Sequence, residues 1–363
     1  MRGPVSSWGL RVSRPTLAWL AIAASLPLLV LCASRLSSGF DYWPAVAIER
    51  HVPYGTSFIF AYPLPIYLPF APLGLLPGSL PQLVAPIVCF AFLASGLWLW
   101  GARRSWVIGA ALLSPVGVGV LVNSNFNSAV SLFGLGLAIW AKRAGHHPLV
   151  GLGVALSLWR PTNCLPTLVV LLLSGWRWRD LVHVVVAAAL FIVPLTALAF
   201  VVQPDWLNVY LQILPVYRGW AGLGPHLLNS GGPIAYAAAQ LAVAGAGVWV
   251  LRRRPVEDAA ALSLALSVLL ATTAGAYSGA LALPALVRAA SDERYTALPA
   301  LASLVGWGQV AVLLAIGFPV GVVSYWFVVQ AYPLLGKAPP ELESRHVQAS
   351  GEWARNVVVP SRR

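Results

Sequence analysis

The chain has 363 residues, of which 59% are hydrophobic and only 9% are charged. A water-soluble domain of this composition could not bury its apolar surface, so soluble globular proteins are excluded and the expected solvent is a lipid bilayer. The formal net charge of +12 comes from short basic clusters between apolar runs. These short clusters form no aromatic-interleaved groove that could follow a nucleic-acid strand, and we predict no nucleic-acid partner.

Long apolar runs recur along most of the chain. Runs of roughly 15 to 23 residues extend from Thr16 to Pro333, and a helix that crosses a bilayer needs about 20 such residues. This pattern predicts an all-α polytopic membrane protein, a bundle of about twelve transmembrane helices over residues 16–333. Its expected location is the plasma membrane.

The N-terminus is predicted to be cytoplasmic. Arg2, Arg11 and Arg14 precede the first apolar run, and basic residues beside a membrane helix stay on the cytoplasmic side. Residues 1–15 are therefore expected inside the cell, and the first helix runs outward from residue 16.

The first outer segment, residues 35–80, is rich in proline and aromatic residues. Six prolines lie from Pro63 to Pro81. Because proline removes a backbone donor and clashes inside a helix, an ordinary transmembrane helix is not expected here. We predict interfacial or re-entrant helices in this segment.

Assigning every basic cluster to the cytoplasm determines the remaining turns. In chain order the turning points are Arg103-Arg104 inside, Asn123 outside, Lys142-Arg143 inside, Trp176 to Arg179 inside, residues 203–232 outside and Arg252 to Arg254 inside. A polar tail over residues 334–363 then ends the chain in the cytoplasm. Few ionisable residues remain outside, and they are functional candidates because charges near a bilayer are costly to desolvate.

Asp41 is the first of these candidates. It follows the first helix by a few residues, where a carboxylate at the membrane surface could take a proton from an incoming hydroxyl group. The alternative is that Asp41 caps a short interfacial helix, a frequent role of aspartate. Glu49 and Tyr54 follow in the same segment.

Three amides stand together in Asn123-Ser124-Asn125-Phe126-Asn127, at the predicted outer junction of two helices. An amide has both donors and an acceptor, so Asn125 and Asn127 can bind sugar hydroxyls. The same composition is typical of a polar turn between helices. The residues alone leave both interpretations open.

Arg160 stands before Pro161, between two apolar runs of only about a dozen residues each. Neither run can cross about 30 Å of hydrocarbon, so we predict a short hairpin whose tip lies below the outer surface. A buried guanidinium needs an anion. That anion is either a lipid phosphate, bound through two parallel hydrogen bonds, or a structural partner such as Asp41, Glu49 or a backbone carbonyl.

The second outer loop, residues 203–232, combines aromatic residues with single charges. Arg218 stands beside Tyr217 and close to Trp220, and such rings can bind sugars but also mark any membrane interface. His226 could titrate near neutral pH, although a lone loop histidine is more often solvated. Since the chain contains no Walker loop, zinc spacing or dinucleotide fingerprint on a plausible element, we expect no cofactor and no metal ion.

The order of these features resembles glycosyltransferase family 87, the polyprenyl-phosphate-mannose-dependent mannosyltransferases and their relatives among the GT-C membrane glycosyltransferases. The likeness rests on Asp41-Tyr42-Trp43 with Pro53-Tyr54, on Tyr62-Pro63-Leu64-Pro65 through Leu76-Pro77, on Ser124-Asn125-Phe126-Asn127, and on Arg160-Pro161 through Arg179. Ser124 and Asn125 stand where the family has glycine and glutamine, and Arg160 stands where it has lysine.

The resemblance implies a GT-C-like bundle that transfers a sugar, mannose or another hexose or pentose, with inversion at the anomeric carbon. The donor would be a polyprenyl-phosphate sugar in the membrane lipid, and the acceptor an envelope lipid or polysaccharide on the outer face. Asp41 would be the general base, and Arg160 with Arg218 would hold the donor phosphate. The residues that would bind the sugar or the acceptor are Tyr54, Tyr62, Asn125, Asn127, Glu49 and His226.

Two functions from other classes stay open. A lipid or solute transporter would need polar groups along a path through the membrane midplane and two opposed accessible states. A catalytically inactive scaffold of an envelope-assembly complex would keep the fold and lose the reactivity of Asp41. The placement of ionisable groups at one face favours the enzyme.

Overall fold

A computed structural model describes residues 14–33, 63–217, 223–271, 276–316 and 327–336. Every regular element in these ranges is a helix, which confirms the predicted all-α class for this part of the chain. The α-helices, numbered in chain order, are α1 Arg14–Ala33, α2 Leu64–Tyr67, α3 Leu80–Leu99, α4 Ser105–Leu112, α5 Pro115–Val122, α6 Phe126–Arg143, α7 His147–Ser157, α8 Pro161–Leu173, α9 Trp178–Val202, α10 Trp206–Tyr217, α11 Leu223–Leu251, α12 Val256–Ser267, α13 Leu283–Ala289 and α14 Leu298–Ala315. Shorter 3-10 helices lie at Leu68–Leu75, Val268–Leu270, Ala276–Ala282, Glu293–Tyr295 and Tyr332–Leu335.

Helices α3, α9, α11 and α14 are long and apolar enough to cross a membrane, and α4 with α5 would make a fifth crossing if the two count as one bent span. Their outward side chains are apolar and exposed; in α9, Leu190 is 72% and Val201 is 78% exposed. Such a surface is stable against lipid and unstable against water. The predicted class, a helical membrane protein, is therefore confirmed.

Helices α4 and α5 meet at an angle of 68°, where the sequence predicted one crossing. Pro115 begins α5 and has no backbone N–H, so α4 cannot continue through it. Ser114 caps the new helix, its hydroxyl oxygen accepting from the backbone N–H of Gly117 at 3.2 Å. The indole N–H of Trp307 on α14 donates to the Leu113 carbonyl at 2.6 Å, so a tertiary contact stabilises the bend.

Helix α6 lies at the centre of the bundle. It packs against α3 and α7, and most of its side chains are buried. A Cβ atom added at Gly134 would lie 2.7 Å from the carbonyl oxygen of Gly153 on α7, so glycine is what permits this close approach. Small residues are common where membrane helices meet, because in lipid the hydrophobic effect does not hold helices together and close packing must do so. The helix ends at Arg143, as predicted.

The basic clusters meet at one end of the bundle, which we call the basic end. It is defined by Arg103, Arg104, Lys142, Arg143, Arg177, Arg179, Arg252, Arg253 and Arg254. Arg143 at the end of α6 forms an ion pair with Glu257 at the start of α12. The ammonium of Lys142 donates to the Ser174 carbonyl at 2.8 Å and lies 4.4 Å from the ring centre of Trp176. These contacts bring together helix ends that the positive-inside rule assigns to one side.

Two short helical hairpins start and end at the basic end. The first consists of α7 and α8, which have 11 and 13 residues. The second runs from α12, with 12 residues, through Val268–Leu270 and Ala276–Ala282 into α13. A crossing helix needs about 20 residues, so the arms of both hairpins end inside the bundle. The short hairpin predicted around Arg160 is confirmed.

A buried ion-pair network closes the base of the second hairpin. The carboxylate of Asp258, at the start of α12, accepts from Arg288 at 2.6 Å and from Arg254 at 3.1 Å. Arg288 lies at the end of α13, so this contact joins the two arms. Arg254 also donates to the carbonyl of Pro333 at 3.0 Å. Because a buried charge is costly unless it is paired, the network holds both arms and the 327–336 segment together.

Helix α11 is interrupted at Gly232, where φ is 71° and ψ is −175°. A positive φ is costly for residues with a Cβ atom, and Pro233 follows without a backbone donor. The predicted outer loop over residues 203–232 contains α10 and the first part of α11, so much of it is helical. The loop was predicted to end where this kink occurs.

Candidate functional site

Arg160 lies at the tip of the first hairpin and is buried, with 2% of its surface exposed. It directly precedes Pro161, which begins α8 because the first turn of a helix tolerates a missing N–H. The Nη1 group of Arg160 donates to the hydroxyl of Ser278 at 3.1 Å. Since Ser278 lies in Ala276–Ala282, the tip of the first hairpin meets the turn of the second.

A second contact joins the two tips. The Nδ2 group of Asn163 donates to the carbonyl oxygen of Ser267 at 3.1 Å, where α12 ends. The hydroxyl of Tyr236 on α11 donates to the carbonyl oxygen of Leu270 at 3.0 Å. Helix ends leave carbonyls without intrahelical partners, and here neighbouring side chains satisfy two of them. The break between α12 and α13 is therefore stabilised by its surroundings.

The amides of the asparagine-rich turn have different roles. Asn125 caps α6, since its Oδ1 accepts from the backbone N–H of Ser128 at 2.8 Å. Asn127 is 1% exposed, and within the described residues neither its Nδ2 nor its Oδ1 has a hydrogen-bond partner. Leaving a buried amide unpaired costs about 1–3 kcal/mol. The polar-turn interpretation thus fits Asn125, whereas the donors and acceptor of the Asn127 amide are not paired by any described residue.

Two hydroxyl groups beside Asn127 share this property. Ser124 precedes α6 and Ser128 lies in its first turn; both are buried, and neither Oγ has a hydrogen-bond partner in the parts of the chain that the structure describes. Ser124 also has a φ of 51°, which is unusual for serine and indicates that its surroundings impose the turn. We call Ser124, Asn127 and Ser128 the polar cluster. Its donors and acceptors match those of sugar hydroxyls.

The polar cluster lies near the tip of the first hairpin. Ser131 is one turn after Asn127 on the same face of α6, and its hydroxyl donates to the carbonyl of Ser157 at 3.3 Å. Ser157 precedes Arg160 by three residues. Helix α6 also packs against Ala276–Ala282, the segment that carries the hydroxyl partner of Arg160. The fold therefore brings Arg160 and Asn127, both predicted site residues, into one region of the interior.

Aromatic rings from the first outer segment cover this region. Phe70 in Leu68–Leu75 stacks on Phe126 with ring centres 4.0 Å apart, and its edge meets Trp159 at 5.3 Å. Helix α2 and Leu68–Leu75 are the short helices predicted in this proline-rich stretch, and they are buried against the bundle. They form one apolar wall beside the polar cluster.

The polar cluster and the basic end lie at opposite ends of α6. This helix has 18 residues, and at about 1.5 Å per residue it is about 27 Å long. Asn125 caps its first turn and Arg143 ends its last. The distance between the two ends is close to the thickness of a bilayer's hydrocarbon core, about 30 Å.

Several predicted site residues lie outside the described residues: Asp41, Glu49, Tyr54, Tyr62 and Arg218. His226 is described and lies exposed near the start of α11. Gly224 in the same turn packs against the carbonyl of Leu270, so this part of α11 adjoins the turn of the second hairpin. The structure does not bring the His226 side chain to Arg160.

Ser278, Asn163 and the hydroxyl groups of the polar cluster were not predicted as site residues. Ser278 lies in a polar interruption between two apolar runs, Ala276 to Gly279, and that interruption could have indicated a turn. Asn163 is three residues after Arg160, on the same face of α8. Both contacts join residues more than 100 positions apart, 118 and 104, so local sequence could not name their partners.

A comparison of the chain with protein-family models, curated proteins and solved structures finds no match. The structure defines the class as a helical membrane protein, with buried polar groups on α6 beside the tips of two short hairpins. The resemblance to glycosyltransferase family 87 stays a prediction from the sequence.

Proposed function

We propose that this protein is a membrane glycosyltransferase. It moves a sugar from a polyprenyl-phosphate donor to an envelope glycolipid or polysaccharide, with inversion. In this proposal the whole chain forms a GT-C-like bundle of about twelve crossings, with both termini in the cytoplasm and the site at the outer face. One observation carries it: hydrogen-bonding groups without partners among the described residues are buried in the same region as a guanidinium.

The polar cluster supports the sugar-binding part of the proposal. Each sugar hydroxyl both donates and accepts, and Asn127, Ser124 and Ser128 together provide donors and acceptors. A buried polar group regains about 1–3 kcal/mol when a ligand pairs with it. The rings of Phe126 and Trp159 lie beside the cluster and would exclude water from the bound sugar.

Arg160 supports the phosphate-binding part. A guanidinium stays charged when it is buried, and it can bind a phosphate through two parallel hydrogen bonds. Its contact with Ser278 orients the group. As the bond from the anomeric carbon to the phosphate oxygen breaks, negative charge grows on the phosphate, and a fixed cation in a dry site stabilises that charge.

The remaining roles fall on residues outside the described ranges. Asp41 is proposed as the general base: it takes the proton of the acceptor hydroxyl as that oxygen attacks the anomeric carbon and polyprenyl phosphate leaves. Arg218 is proposed to assist Arg160 at the phosphate. Glu49, Tyr54 and Tyr62, with His226 from α11, are proposed to contact the sugar or the acceptor.

The two hairpins support a second candidate, a transporter of a lipid or an anionic solute. Transporters often bind substrate at broken helices inside the membrane, and the tips that meet at Arg160 and Ser278 have that form. Inverted repeats would bring two such hairpins in from opposite sides of the membrane. Here both enter from the basic end, which favours the enzyme.

The sugar inventory of a deletion strain separates the two candidates. Mass spectrometry of its envelope glycolipids and polysaccharides should show the loss of one hexose or pentose. Wild-type protein should restore that sugar, and Arg160→Gln should not. Arg294→Gln is the matched control, because Arg294 is exposed and paired with Asp292 at 2.8 Å, far from the site; it should restore the sugar fully.

Two outcomes would count against these assignments. An unchanged sugar inventory with an altered distribution of lipid between the leaflets would establish transport instead. Full transfer by purified Asp41→Asn protein, with polyprenyl-phosphate mannose as the probe, would remove Asp41 from the role of base.

A further inference from the structure

The basic end has more cations than its carboxylates can pair. Its described carboxylates are engaged: Glu257 with Arg143, Asp258 with Arg254 and Arg288, Asp180 with His147, and Asp292 with Arg294. The arginines that form no ion pair with a described residue are Arg103, Arg104, Arg177, Arg179, Arg252 and Arg253. This end of the protein therefore attracts anions.

Two of these arginines lie over partly exposed tryptophans. The guanidinium carbon of Arg103 is 5.0 Å from the ring centre of Trp98, and that of Arg253 is 4.2 Å from the ring centre of Trp249. Trp98 is 38% exposed and Trp249 is 42% exposed. The two tryptophans lie near the ends of α3 and α11, which are both candidate membrane spans. The same pair thus occurs on two helices at one end of the bundle.

A guanidinium that stacks on an indole ring keeps its edge for an anion. A cation–π contact uses the face of the guanidinium, and its five N–H groups lie in the plane and point away from the ring. A phosphate accepts two of these N–H groups in parallel. Burial, and then the positive charges of Arg143 and Arg288, lower the pKa of Arg103, and a phosphate nearby would relieve that repulsion.

The outer surfaces of the same two helices indicate that the anion belongs to a lipid. Leu83 and Ile87 on α3 are 62% and 61% exposed, and Leu241 on α11 is 69% exposed. These apolar side chains suit acyl chains along the same helices that carry the arginines at their ends. Tryptophan is also enriched at the depth of lipid headgroups.

We propose that Trp98 with Arg103, and Trp249 with Arg253, are two binding sites for the phosphate headgroups of anionic phospholipids. The sites lie at the basic end and are separate from the proposed sugar-transfer site. Each arginine binds the phosphate, each indole lies at the headgroup level, and the apolar side chains of α3 and α11 contact the acyl chains.

Native mass spectrometry of the delipidated full-length protein tests this proposal. The protein is titrated with phosphatidylglycerol or with phosphatidylcholine of the same acyl chains. Wild-type protein should bind phosphatidylglycerol several-fold more tightly. Each basic residue near an anionic surface contributes about fivefold, so Arg103→Gln combined with Arg253→Gln should weaken phosphatidylglycerol binding roughly twentyfold.

Arg294→Gln is the matched control, because Arg294 already has a carboxylate partner. The Arg294→Gln protein should bind phosphatidylglycerol with the affinity of wild type. Lysine at positions 103 and 253 keeps the charge without the planar fork and should give an intermediate loss. If the double glutamine variant does not fold, the double lysine variant is measured in its place. The proposal is overturned if both lipids bind wild type equally, if Arg294→Gln loses as much as the double variant, or if inorganic phosphate displaces all the phosphatidylglycerol.

Discussion

The base of the second hairpin and the polar cluster beside the hairpin tips differ in how their buried polar groups are paired. At the base, Asp258 and Arg288 are buried and paired at 2.6 Å, and Arg254 adds a second cation. Beside the tips, at the start of α6, Asn127 and Ser128 are buried to the same degree, and their side chains have no hydrogen-bond partner among the described residues.

Under the proposed function, this difference separates an end that provides stability from an end that binds a ligand. Paired charges hold the hairpin arms together. Removing one partner of such a buried pair strongly lowers the stability of the fold. Unpaired amides and hydroxyls weaken the fold, and proteins keep such groups where function needs them. We expect substitutions at the base to lower stability, and substitutions of Arg160 and the polar cluster to change activity.

The largest expected effect is at the base. Asp258→Asn removes the charge that two buried arginines share, and breaking a buried pair costs about 3–5 kcal/mol. The melting temperature in detergent, followed by tryptophan fluorescence, should fall sharply. Asp292→Asn removes a carboxylate whose partner Arg294 is exposed, and it should change the melting temperature little. Equal melting temperatures for the two variants would show that the network does not close the hairpin.

The next effect is at the tip of the first hairpin. Arg160→Gln should reduce sugar transfer by about 10²–10³-fold, because it removes a fixed cation from the leaving phosphate. Its melting temperature should stay close to that of wild type if Arg160 serves the ligand. A fall in melting temperature as large as that of Asp258→Asn would instead identify Arg160 as half of a structural ion pair, the alternative that its sequence left open.

A matched pair of asparagines tests the polar cluster. Asn127→Leu removes an amide without a described partner and should stabilise the protein by about 1–3 kcal/mol while it weakens donor binding. Asn163→Leu removes the group that donates to the Ser267 carbonyl at 3.1 Å, and it should destabilise the protein by a similar amount. Thermal melting of both variants and the KM for the donor are the measurements. Destabilisation by both substitutions would mean that Asn127 serves the fold.

The smallest effect concerns the turn of the second hairpin. Tyr236→Phe removes the hydroxyl that donates to the Leu270 carbonyl at 3.0 Å and accepts from Gln240 at 2.9 Å. The loss should be about 0.5–1.5 kcal/mol. Tyr332→Phe is the control, since Tyr332 is 71% exposed, and it should have no measurable effect. If both variants have the melting temperature of wild type, the Tyr236 hydroxyl does not stabilise the turn.

Much of the architecture was predictable because it depends on local properties. Apolar length indicated the membrane class, the basic clusters located the end of α6, and the two short runs around Arg160 predicted the first hairpin. The sequence did not predict the bend between α4 and α5, although Ser114 followed by Pro115 is a recognised signal for the start of a helix. Composition alone does not show that a helix of adequate apolar content is broken.

The candidate site was predictable only in part. Arg160 and Asn127 could be selected because polar residues in apolar surroundings are rare and costly. Asn125 and Asn127 could not be distinguished, because both are asparagines of one turn and only the structure shows which one caps α6. The role of Asp41 stays a prediction from the sequence, since it lies outside the described residues.

By itself the sequence determined that this chain is a helical membrane protein, where its basic clusters lie and which residues are candidates for chemistry. These conclusions follow from composition and spacing, which each segment carries alone. Tertiary structure decided that two hairpins enter from the basic end and that their tips meet at Arg160 and Ser278. It also decided which buried polar groups are paired, because pairing depends on which segments approach each other, and Arg160 and Ser278 are 118 residues apart in the sequence.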